Sequence, residues 1–293
     1  MKVVALNQPG PLIASATWLC RCRPCIKDPH SLTSFEDFCS YYQGRWPDGD
    51  TYDASNYIAF YLAHAFANGR ALCDVFTVPS IPSSFTASWK PANLVILKKD
   101  KEGDIHETIL QPSAILPTAP PLGFVASTVD DVLAWLNHER FGAFCLCPSS
   151  CRAELIFALR FNQKSIWVLL RTTGRSMQTL PSEDFYHEFG HLTIEGLFPS
   201  PGLENLPDRL VDAFDSLPNS VETRGSLSIL RVLASFPSEP LLTCNLAQRI
   251  EGSTVATLNV KTFESVTEAI IGADVVESLI CSMQDRRDSV TDE

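Results

Sequence analysis

No stretch of this 293-residue chain approaches the roughly 18 consecutive apolar residues of a membrane-spanning helix, so no membrane partner is expected. An excess of basic charge is also missing. The chain carries 23 Lys and Arg against 34 Asp and Glu, a formal net charge of −11. Such a surface repels nucleic acid and anionic membrane as a whole, and any nucleic-acid contact needs a local basic patch. The ten cysteines lack the paired C-x2-C spacing of a zinc site, both in Cys20/Cys22/Cys25 and in Cys145/Cys147/Cys151. At the N-terminus, Asn7, Gln8, Pro9, Gly10 and Pro11 interrupt the apolar core that a secretory signal requires. The chain is therefore expected to be intracellular, in cytoplasm or nucleus, with reduced thiols. Internal repeats and low-complexity tracts are absent as well.

What is present is enough apolar residue, 45% of the chain, to bury one large core or two modest ones. Residues 1–50 read as an irregular extension rich in Pro, Cys and Arg, with one helical pattern at Ser34–Tyr42. Residues 51–281 read as a single mixed α/β domain and 282–293 as a polar tail. Within the domain the patterns predict a buried helix over Asp53–Asn68 ended by Gly69, a strand over Leu72–Val78, and a hairpin of Asn93–Leu97 with Ile105–Leu110. A helix follows over Val129–His138, with Ser127 and Asp130 as its capping box, and then a strand over Ala143–Cys147. Further on come helices over Ser182–Leu197 and Asp208–Leu217 and a strand over Ser228–Phe236. The series ends with a short helix near Asn245–Ile250, a strand near Val255–Val260 and a helix over Ser265–Ile280. On the first helix, His64 reads as a hydrogen-bonded core histidine, and Asp74 and Glu107 as unremarkable strand acids.

The most informative segment is CRAELIFALRFNQKSIWVLLRTT, residues 151–173. Residues 155–161 and 166–170 are nearly continuous apolar runs, which suits strands covered on both faces, and Asn162-Gln163-Lys164 supplies the turn between them. Leu155, Phe157, Leu159, Trp167 and Leu169 are predicted to be buried, and residues 143–173 to form three adjacent strands of one sheet. The hairpin starts at Glu154 and leaves through Arg171, Thr172 and Thr173. Arg152, Arg160, Lys164, Arg171 and Arg175 also make residues 152–175 the one basic segment, the candidate contact for protein or nucleic acid.

The segments TVDDVLAWLNHERFGAFCLCPSSCRAELIFALRF, SIWVLLRTT and SILRVLASFP resemble a large fungal family of Crinkler-like, restriction-endonuclease-like proteins. The resemblance covers roughly residues 52–250 and implies an αβββαβ core at about 127–237. It also implies a Mg²⁺ site in which the second strand opens with Pro-Asp and the third ends with Gln-x-Lys. There the carboxylate and amide hold the ion, and the lysine positions the attacking water. This chain places Ala153-Glu154 and Arg171-x-Thr173 at those positions. Arginine cannot ligate Mg²⁺ and threonine cannot replace a lysine's charge, so the resemblance implies a degenerate site.

A second pattern competes with the first. His187-Glu188-Phe189-Gly190-His191 is a literal HExxH, which on a helix sets two imidazoles one turn apart to share a zinc ion while Glu188 activates water. The third ligand would fall on Asp215, since Glu204 and Glu222 lie at less apt spacings. Glu183, His187, His191 and Glu195 also recur every four residues, and an outward polar stripe explains them without any metal. Three functions follow in order: a degenerate nuclease-like domain acting as an intracellular binding or effector-like module, a zinc metallopeptidase, and a residual metal-dependent nuclease working through Glu154.

Overall fold

The computed structural model describes residues 52–79, 91–110, 123–161, 163–172, 182–199, 205–218, 220, 229–234 and 254–271. The cysteine cluster at 20–25, the helical patterns at 34–42 and 245–250, and Thr173 and Arg175 lie outside them. The described residues form a mixed α/β structure around one nine-stranded sheet. In chain order the strands are β1 (Phe76–Thr77), β2 (Asn93–Lys99), β3 (Ile105–Ile109), β4 (Gly123–Val125), β5 (Phe144–Leu146), β6 (Leu155–Phe161), β7 (Lys164–Thr172), β8 (Ile229–Ala234) and β9 (Thr254–Leu258). The described helices are α1 (Tyr52–Ala67), α2 (Leu72–Val75), α3 (Val129–Leu136), α4 (Ser182–Gly190), α5 (Leu206–Asp215) and α6 (Val260–Ile271).

The long hairpin β6–β7 is the axis of the sheet. It pairs antiparallel from Leu155↔Leu170 to Phe161↔Lys164 around a turn at Gln163, which takes a positive φ of 69°. The other edge of β6 is shared by two antiparallel partners: β5 along its first half (Phe144↔Phe157) and β2 along its second (Leu94↔Leu159). Beyond β7 the sheet turns parallel, through β8 and then β9.

Side chains alternate across each central strand, and both sets are apolar because both faces are covered. Leu155, Phe157, Leu159, Ile166, Val168, Leu170, Leu230 and Val232 pack with residues of α1, α2 and α6. Ile156, Ala158, Trp167, Leu169, Ile229 and Leu233 face the other way, into a second core with α3, α4 and α5. The five residues expected to be buried in the hairpin are at most 1% exposed, and β5, β6 and β7 are adjacent strands as expected.

Several local expectations are corrected. Leu72–Val75 is a helical turn leading into a two-residue strand, not one strand over Leu72–Val78, and Asp74 is exposed on that turn. The capping box sits one residue later than expected: the Thr128 hydroxyl accepts from the Asp131 N–H at 3.1 Å, and the Asp131 carboxylate accepts from the Thr128 N–H at 3.1 Å. Helix α4 ends at Gly190 rather than Leu197. The Thr193 hydroxyl donates to the Gly190 carbonyl at 2.9 Å and accepts from the Gly196 N–H at 3.1 Å, a local turn that competes with helix. His64 is half-buried rather than core, with Nδ1 3.1 Å from Asn68 Nδ2. Among the described residues no helix is long and apolar enough to cross a membrane.

Candidate functional site

The two rival motifs meet in one place. Strand β6 begins beside the end of β7, and the Glu154 N–H extends their ladder by donating to the Leu170 carbonyl at 2.9 Å. The Glu154 carboxylate then accepts the Thr172 N–H at 2.5 Å, which fixes it at the strand end. Arg171 is held at the same end, where its Nη1 donates to the Arg152 carbonyl at 3.0 Å.

Helix α4 brings the HExxH residues to this corner. Phe185, Phe189 and Leu192 are at most 3% exposed and form the inward stripe against the second core. Anchoring that stripe turns Glu188 and His191 toward the end of β7 and leaves His187 outermost. Arg171 Nε lies 2.7 Å from Glu188 Oε2, and the two side chains keep only 20% and 24% of their exposure. His191 Nδ1 is 3.9 Å from the same carboxylate oxygen. The two imidazoles meet edge to face with centroids 4.1 Å apart. The helical bond from the His191 N–H to the His187 carbonyl, 3.1 Å, keeps them one turn apart although His191 lies just past the helix end.

The charges set the character of the corner. Burial, with His187 close by and the positive Arg171 and Arg152, holds the His191 pKa below the usual imidazole value, against the opposing pull of Glu188. His191 is thus neutral near pH 7. Behind α4, Arg231 is only 1% exposed and donates from Nη1 to the Phe189 carbonyl at 3.0 Å. Burial lowers its pKa to about 10, so it stays charged at neutral pH. Arg231 escaped the sequence reading as a site residue, although a lone charge inside SILRVLASF was the signal available for it.

Other expected residues are placed elsewhere. Potential metal-ligand atoms of His187, Glu188 and His191 lie within 4.8 Å of one another, and Asp215 is not in that group. Asp215 is exposed at the end of α5, next to Phe214, whose carbonyl accepts from Trp167 Nε1 at 2.9 Å. Trp167 stands four positions before Arg171 on β7, ~13 Å along the strand. The outward stripe of four does not form either, because Glu195 lies in the turns after α4. The basic segment splits between the two ends of the hairpin. Arg152 and Arg171 stand at the Glu154 end, whereas Lys164 and Arg160 stand at the turn, with Arg160 3.3 Å from Glu107. These arginines therefore do not line one continuous track.

Cys145 of β5 and Cys147, just past its end, both fall in the second core. The sequence reading also passed over His138, which is 2% exposed with Nε2 3.1 Å from Ser216 Oγ. Comparison with known proteins returned no matching family model, no matching curated protein and no matching solved structure.

Proposed function

We propose that this chain is a catalytically degenerate restriction-endonuclease-like domain that acts by binding, as an intracellular effector-like module of cytoplasm or nucleus. The order helix α3, antiparallel strands β5, β6 and β7, helices α4 and α5, then the parallel strand β8 supports that relationship. Glu154 at the start of the second of these strands supports it further. The observation that carries the loss of catalysis is the 2.7 Å contact of Arg171 with Glu188. A nuclease site of this kind gathers carboxylates around Mg²⁺, so that the ion polarises the phosphodiester. Here the Arg171 guanidinium lies at the end of the third strand of that core and engages the Glu188 carboxylate. It can neither ligate a cation nor leave that carboxylate free to do so.

One observation favours a second reading, a zinc site at His187 and His191 with Glu188 as base: the grouping of their ligand atoms within 4.8 Å. Against it, Glu188 is engaged by Arg171, and Arg152 and Arg171 both add positive charge at His191. Labelled DNA and RNA incubated with the protein in Mg²⁺ or Mn²⁺ test the first reading, and no cleavage is expected. Cleavage that disappears in Glu154→Ala would show a working nuclease.

A further inference from the structure

The corner that is wrong for a cation has the chemistry for an anion. Among the described residues, Arg152, Arg171 and Arg231 stand against Glu154 and Glu188, leaving one positive charge in excess. This excess occurs in a chain whose formal net charge is −11. Arg152 is rigidly mounted: its N–H donates to the Leu197 carbonyl at 2.8 Å and its own carbonyl accepts from Arg171 at 3.0 Å. Its Nε is buried, with no hydrogen-bond partner among the described residues. A buried guanidinium donor without an acceptor is costly, and an oxyanion is the ligand that satisfies it.

The geometry points to a site for a phosphate monoester, built from Arg152, Arg171, His187 and His191, with Glu188 as an internal counter-ion that the ligand displaces. This inference rests on the reading of the corner as a binding site that has lost its metal. Glu188 occupies Arg171 as a carboxylate ligand would, at 2.7 Å, and keeps 24% exposure, so it can swing into water. A dianion gains more than the single carboxylate it replaces, because the guanidinium charges of Arg171 and Arg152, both felt at His191, attract it together. Two features favour a small monoester over a nucleic-acid strand. The basic residues of the hairpin are divided between its two ends, and the overall charge of −11 repels a polyanion.

The test is calorimetric titration of the full chain with inorganic phosphate and with phenyl phosphate, beside a short single-stranded DNA and ZnCl₂. Saturable phosphate binding is expected, weakened about tenfold in Arg152→Gln, the size of one charge-assisted hydrogen bond. In Glu188→Gln, where the internal competitor is gone, binding should tighten severalfold. A tighter variant is a readout that mere structural damage does not give. Three results would overturn the proposal: no phosphate binding in the folded Glu188→Gln variant, Arg152-dependent binding of the DNA in preference to phosphate, or zinc binding lost in His191→Ala. Failure here leaves the non-catalytic reading standing, whereas Glu154-dependent cleavage sinks that reading whatever phosphate does.

Discussion

Removing Arg171 and Glu188 singly and together measures whether the two rival motifs form one unit. With charge centres ~4 Å apart and an effective dielectric of about 20, their gross attraction is about 4 kcal/mol. Both side chains are mostly buried, at 20% and 24% exposure, so part of that attraction is returned as desolvation. A net coupling of about 1–2 kcal/mol follows, above the ~0.2–1 kcal/mol of a surface pair. Arg171→Met also strips the Arg152 carbonyl of its donor at 3.0 Å. That single change should therefore cost about 2–3 kcal/mol, more than Glu188→Gln at about 1–2 kcal/mol. The double variant should be less destabilised than the sum. Urea unfolding reads all four corners of the cycle, and thermal unfolding should shift by roughly 2–4 °C per kcal/mol for a domain of this size. Coupling below about 0.3 kcal/mol would mean that the guanidinium and carboxylate do not lock each other. The account of the corner as a neutralised site would then lose its foundation.

Two further outcomes are expected. Burial keeps His138 neutral and its pKa below the usual value, so the unfolded chain takes up the proton first. The stability this histidine contributes is thus present above about pH 6.5 and lost as pH falls below it, with a slope of up to about 1.4 kcal/mol per pH unit. His138→Asn, which suits the positive φ of 63°, should flatten that slope in chemical unfolding at a series of pH values. An unchanged slope would remove His138 as its source. Gly142→Ala should cost about 1–3 kcal/mol, because the position has φ of 152° and a Cβ there would sit 2.8 Å from the Phe124 nitrogen. Unfolding that loses less than about 0.5 kcal/mol would show that this crossing has room to relax.

How much of this could be read from the chain depended on whether the deciding contact was local. The β6–β7 hairpin was legible because two unbroken apolar runs around a polar turn have few alternatives once both faces are covered. Leu72–Thr77 was not, since a short apolar run fits one helical turn as well as a strand, and pairing of Phe76 with Leu258 of β9 decides where extension begins. The end of α4 was obscured by a four-residue polar recurrence that implied a long helix. Thr193, through its bonds to Gly190 and Gly196, stopped it. At the site, each motif was visible on its own, but no spacing rule connects the end of a strand to a helix beyond it. Only the docking of Phe185 and Phe189 brings Glu188 onto Arg171. The two patterns therefore read as competitors when they are neighbours.

The corner of Glu154, Arg171 and Glu188 is expected to have no use for a divalent cation. Mn²⁺ tests it most directly, because the paramagnetic resonance signal of the free ion falls as the ion binds and needs no assumption about substrate. The account expects the signal to track total Mn²⁺, with no site on the folded protein tighter than about 1 mM. Stoichiometric Mn²⁺ binding at micromolar concentration, abolished by Glu154→Ala and kept in Cys151→Ala, would contradict it.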